Sequence, residues 1–254
     1  MKNLLKFEFH KLFRQKSFYI CTAIMFAFSF LAALILEFLV SNSPVDMSEL
    51  IIKPASCWAN LLTTIDNSNF ILISSIFIAI FVCEDFSSGT IKNIYARGFS
   101  KTQVFISKLI VVVVAALIMF GLNLLFSLLV GLIFYGANSF DVKCIWILLS
   151  QIPLVLANTT LAFAISIVSK KIGPAIAISI LGVMIISLLF TMVDAVLAIE
   201  NFNISELWIE GMMTKLGSTA ATTGEILSTL ACNIAYIILF IIISFNINKK
   251  QENY

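Results

Sequence analysis

The chain has 254 residues, 60% of them hydrophobic and only 12% charged, with a mean hydropathy of +1.04. Soluble proteins carry about 25% charged residues, so this composition excludes a soluble globular domain and implies a polytopic membrane protein. The net charge of +2 gives no reason to expect nucleic acid as a partner, because the basic residues are spread along the chain beside apolar stretches. Cys21, Cys57, Cys83, Cys144 and Cys232 stand far apart, with no CxxC and no neighbouring His. That spacing suits neither a metal site nor a disulfide framework, and the thiols read as small apolar fillers.

In chain order, residues 1–17 alternate charge with Leu and Phe. Leu5, Phe9, Leu12 and Phe13 fall at i, i+4, i+7 and i+8, predicting an amphipathic helix in the membrane interface. The apolar run after it is too long for a signal-peptide core. The lone His10 reads as a surface residue. Residues 18–40 form the first predicted span, since about 20 apolar residues cross the hydrocarbon. A polar stretch with Pro44, Asp46, Glu49, Lys53 and Pro54 follows, and Trp58 is expected as an interfacial anchor. The second span is placed at 65–83, with a purely apolar part so short that an earlier start near Trp58 is the alternative. Asp66, Asn67 and Asn69 would then face protein.

Residues 84–103 are a polar island: Glu84-Asp85, Ser-Ser-Gly-Thr, Ile91 to Tyr95, then Arg97-Gly98-Phe99-Ser100-Lys101. Thr90 to Tyr95 can form a short helix with Ile91, Ile94 and Tyr95 on one face, an apolar ridge for a partner's groove. Gly98 would end that helix. Glu84 and Asp85 are too costly to bury unpaired, so Lys or Arg from the N-terminal helix or the loop should meet them. The island reads as a cytoplasmic loop that grips a soluble partner.

Spans at 104–135, 145–168, 172–198 and 226–245 complete a single transmembrane domain over 1–254. Gln151, Pro153, Asn158, Thr159 and Thr160 lie inside the fourth; the proline should kink it, and the polar side chains should face other helices or an aqueous path. Segment 199–224 is acidic and helical in pattern, with Ile204, Leu207, Trp208, Met212 and Leu216 on one face. Asn158, Thr159, Asp194 and Trp208 are the candidates for a substrate path. Plain interhelical hydrogen bonding and, for Asp194, a cap at a span end are the simpler readings. Of the sixteen basic residues, only Lys53, Lys143 and Lys215 fall on the side opposite the loop, so positive-inside puts both termini in the cytoplasm around six spans.

The chemistry of an ATPase is missing. Ser100-Lys101-Thr102 imitates the end of GxxxxGK(S/T) without the glycines that cradle phosphate. There is no HExxH, no GxSxG and no intramembrane carboxylate pair, so no catalytic residue and no metal ligand is assigned.

In layout the whole chain resembles the permease subunits of type-2 ABC exporters, above all small six-span bacterial permeases of lantibiotic and bacitracin immunity or resistance. Glu84, Gly89-Thr90, Arg97-Gly98-Phe99-Ser100-Lys101 and Lys108 are similar to that family's coupling-helix loop. The resemblance implies ATPase-coupling roles for Glu84, Asp85, Gly89, Ile91, Ile94, Tyr95, Arg97 and Lys101. It implies a cytoplasmic ABC ATPase that binds ATP and Mg, and a second permease, the chain itself or a paralogue. It further implies residence in a bacterial plasma membrane and export of a hydrophobic or peptide substrate from the bilayer. An ion-coupled secondary carrier and a membrane-embedded enzyme are the competing classes; the first would move substrate without any ATPase, and the second would need a catalytic group inside the spans.

Overall fold

The computed structural model describes residues 1–42, 54, 56–66, 69–137, 142–197, 203–217 and 222–250. Pro44, Asp46, Glu49, Lys53 and Asn67 lie outside them. Among the described residues the chain is an all-α integral membrane protein with six helices long and apolar enough to cross a membrane. In order these elements are α1 (Lys2–Arg14), α2 (Lys16–Asn42), α3 (Cys57–Asp66), α4 (Asn69–Ser87), α5 (Thr90–Ala96), α6 (Lys101–Phe134), α7 (Val142–Ser169) and α8 (Ile172–Leu197). A single 3-10 turn (Ser205–Leu207), α9 (Ile209–Leu216) and α10 (Thr223–Lys250) follow.

Among the described residues α3 ends at Asp66 and α4 begins at Asn69, and α4 runs on past Cys83 to Ser87, which carries Glu84 and Asp85 inside its last turn rather than in a loop. α6 has 34 residues, about 50 Å at 1.5 Å per residue, against a hydrocarbon core of about 30 Å. It therefore projects beyond the membrane. Its start is fixed by a capping box: the Gln103 amide donates to Ser100 Oγ at 3.3 Å, and the Ser100 amide donates to Gln103 Oε1 at 3.1 Å. This pair satisfies two of the amides that a helix start leaves open.

α4 and α7 are the enclosed pair, whereas α2, α8 and α10 turn most of their side chains outward. The reason is visible in composition: α2 and α8 are apolar around the whole circumference, which suits lipid contact. α4 and α7 carry Ser74, Ser75, Ser150, Asn158 and Thr160, all buried. Phe77, Phe81 and Phe163 fill the centre, and Phe105 sets its ring edge-on to Phe163 at 5.3 Å and to Phe245 at 5.6 Å. At the far end, Gly131 of α6 lets α3 come so close that an added Cβ would stand 2.9 Å from the Cys57 Cα. Gln151, fully buried in α7, donates to the carbonyls of Leu62 and Leu216, each at 3.1 Å, and so joins α3 and α9 to the core.

α1 is the expected amphipathic helix with a different inward face. Leu4, Glu8 and Leu12 form its buried row, spaced i, i+4, i+8, while Phe13 is exposed. A carboxylate sits in the middle of that row because a lysine of α6 waits for it.

Candidate functional site

The loop between α4 and α6 is bracketed by two glycines in the left-handed region, Gly89 at φ +71° and Gly98 at φ +85°. An added Cβ at either would meet nothing within 4 Å, so backbone conformation and not space calls for glycine there. Between them α5 makes two turns. The Gly98 amide closes its end by donating to the Tyr95 carbonyl at 2.9 Å.

α5 lies the other way round from the sequence expectation. Ile91 and Ile94 are buried in the protein itself, Ile94 in a small cluster with Leu4 of α1 and Val104 of α6, flanked by Tyr95 and Phe99. They anchor α5 to the body and offer no free ridge. The apolar residues of so short a helix are what holds it down, since seven residues cannot keep a helix together alone. The exposed face is Lys92, Asn93, Ala96 and Arg97, with Tyr95 half-buried. Beside it a groove of about 390 Å³ opens between α1 and α5, lined among others by Asn3, Leu4, Phe7, Asn93, Arg97 and Phe99.

Beneath the loop lies a cluster of charges from three helices. Lys11 Nζ of α1 donates to Asp85 Oδ1 at 2.6 Å and to the Phe81 carbonyl at 3.3 Å, and stands 3.7 Å from Glu84 Oε2. Lys108 of α6 pairs with Asp85 Oδ2 and, at 3.1 Å, with Glu8 Oε1. Gln15 Nε2 donates to Glu84 Oε2 at 2.8 Å. Glu8, Asp85 and Lys108 are all at least 98% removed from solvent. Lys11 also lies 4.7 Å from the Phe81 ring centroid, within cation–π reach. Asp85 and Glu84 thus meet a lysine of the N-terminal helix, as their sequence position requires. Glu8 was not legible as a member; its signal was its place on the Leu4–Leu12 row.

Charges buried this way gain little net stability, because desolvation offsets most of the Coulomb attraction; what they fix is register. Here they fix how α1 sits against the ends of α4 and α6, and thereby the floor on which α5 rests. Lys101 is the first residue of α6, four positions after Arg97.

The four path candidates are not brought together. Asn158 Nδ2 points to Ser74 and Ser75 Oγ at 3.4 Å, and Thr159 Oγ1 donates to the Val155 carbonyl at 2.7 Å, ordinary bonds at the buried faces of α4 and α7. Asp194 accepts from the amides of Ile204 and Ser205 at 2.6 and 2.8 Å and so holds the 3-10 turn. Trp208 is not on an open face: it is buried between Phe190 and Tyr236, with ring centroids 5.9 and 6.0 Å away. Of the apolar face predicted around it, Leu207 is the exposed member.

The family model described as ABC-2 family transporter protein matches residues 4–186. That range takes in α1 from Leu4 onward, the loop and every residue of the charge cluster. No curated protein matches the chain.

Proposed function

The chain belongs to the ABC-2 transporter family as a membrane-spanning permease, and from that premise we propose that it exports an amphipathic peptide driven by a separate cytoplasmic ATPase. ATP and Mg are bound by that ATPase, and two permeases, identical or paralogous, line the path in a bacterial plasma membrane with both termini in the cytoplasm. The observation that carries the reading is the exposed face of α5, Lys92, Asn93, Ala96 and Arg97, together with the groove beside it. Buried Ile91 and Ile94 seat this surface on the body of the protein, which is what transmission of a mechanical stroke needs. A peptide cargo is favoured by spans with few internal charges, which suit an apolar or amphipathic molecule better than a small ion.

Docking would place an acidic group of the ATPase on Arg97 and an apolar side chain in the groove against Phe7 and Phe99. Full burial of such a side chain contributes about 1.5–3 kcal/mol, and a desolvated bidentate arginine pair strengthens and orients it. The test is capture of the ATPase by the tagged permease from its native membrane, with Arg97→Glu as the variant. Arg97 is exposed, so the variant should fold and lose the ATPase; retention of the ATPase by Arg97→Glu would refute this docking surface. Transport by the purified chain in vesicles without any ATPase would refute the function itself.

A further inference from the structure

A second cavity, of about 320 Å³, opens on the other side of α5, where the ends of α4 and α7 and the start of α8 converge. It is walled by Phe86 and Ile91 and rimmed by Lys92, Lys170 and Lys171, with Gly89 at its edge. Among its lining residues there is no carboxylate. The packing explains why three lysines gather there. Ala79 and Cys83 of α4 meet Ala175 of α8 in a small-residue contact, which draws the α7–α8 turn against the end of α4. Lys170 in that turn takes φ +54°, the one non-glycine residue in the left-handed region among those described, and its Nζ lies 6.0 Å from the Phe86 ring centroid. Strain of this kind is found at ligand clamps. Burial first, and the charge of Lys101 second, hold the Lys170 ammonium below its ordinary pKa.

The cavity lies at the ends of three spans, the depth of the headgroups for helices that cross a bilayer, and Val168, two residues before Lys170, is exposed. Basic pockets between span ends at this depth bind anionic headgroups. We infer that this cavity is a binding site for the phosphate of an anionic phospholipid in the leaflet at the basic end, with Lys92 and Lys171 on the phosphate and Phe86 and Ile91 against the glycerol and first methylenes. Because Lys92 and Ile91 belong to α5, an occupied site braces the coupling surface from the side opposite the groove. The inference does not depend on the ATPase, since its test contains none.

The test is retention of dioleoylphosphatidylglycerol against dioleoylphosphatidylcholine by the purified full-length chain, read by native mass spectrometry. The wild type should hold the anionic lipid in preference. Lys92→Gln with Lys171→Gln, both at exposed positions, should weaken it about thirtyfold, the change two lysines bring at about 1 kcal/mol each. The pair Lys2→Gln and Lys6→Gln on α1 should leave it bound. Equal retention by the Lys92/Lys171 variant overturns the site, as does an equal loss in the Lys2/Lys6 control. Displacement of the lipid by millimolar inorganic phosphate would assign the cavity to a soluble anion.

Discussion

Lys108→Met tests whether the charge cluster is a joint or a decoration. Lys108 is 1% exposed and serves two carboxylates, Asp85 and Glu8. Without it Asp85 keeps Lys11 at 2.6 Å, but Glu8, fully buried, loses its one ion-pair partner among the described residues, and its oxygens accept no hydrogen bond there. Removing one partner of a buried pair costs about 3–5 kcal/mol, which for a chain of this size lowers Tm by roughly 6–20 °C. Adding Glu8→Met to Lys108→Met removes the stranded charge and should recover more than half of that loss. The two substitutions are therefore strongly non-additive, as expected for groups in direct contact. Thermal unfolding of the purified chain can be followed with a thiol-reactive dye, because the thiols of Cys21, Cys57, Cys83 and Cys144 are buried and react when the fold opens. Lys92→Gln, at an exposed position, is the control. A Lys108→Met chain as stable as the control, or a double variant no better than the single one, would refute the reasoning.

Ile94→Asp should unseat α5 from Leu4 and Val104 and lower Tm as well as ATPase capture, whereas Arg97→Glu should lower capture alone; comparison of pull-down with Tm separates them. Gly211→Ala places a Cβ 2.1 Å from the Ser205 carbonyl oxygen, so the 3-10 turn must leave α9, at a cost of about 1–3 kcal/mol or more, seen as faster exchange of the Trp208 indole N–H. Glu206 is held below the ordinary carboxylate range by hydrogen bonds from Lys215, at 2.5 Å, and Asn203. A depressed pKa adds stability that is complete above the unfolded value, about 4.5, and lost as pH falls through the folded one. The 203–217 segment should therefore loosen only in acid below that value, by at most about 1 kcal/mol for so exposed a pair, and Glu206→Gln should abolish that dependence in hydrogen exchange. For topology, Asn203→Cys in intact cells should react with an impermeant reagent and Asn253→Cys should not; the reverse would overturn the orientation.

Six spans were legible because lipid demands long apolar runs and little else fits them, and the first helix was legible as amphipathic from its apolar spacing. The paired fate of Glu84 and Asp85 was legible for the same reason, since an unpaired carboxylate at a span end is too costly to keep. What the sequence hid was the inside of the short elements. In α5, period alone cannot say whether Ile91 and Ile94 face a partner or the body, because the face is decided by Leu4 and Val104, about ninety and ten residues away in the chain. In α1 the same blindness hid Glu8, whose charge reads as solvated until Lys108 is seen opposite. The sequence puts Trp208 on an apolar face as a substrate-path candidate, yet Phe190 and Tyr236 close over it from two spans.

The charge cluster also sets an order on the making of the protein. Glu8 and Lys11 leave the ribosome before their partners do, since Asp85 follows Lys11 by 74 positions and Lys108 comes later still. Until α4 and the head of α6 have entered the bilayer, α1 has no partner for its inward carboxylate and must ride on the membrane with Glu8 facing water. Its rotation into the fold is thus a late event for an early segment. The joint closes only when the third apolar helix has begun to insert, so a nascent chain stalled before that point displays α1 with the unpaired Glu8 outward, open to whatever surveys unfinished membrane proteins.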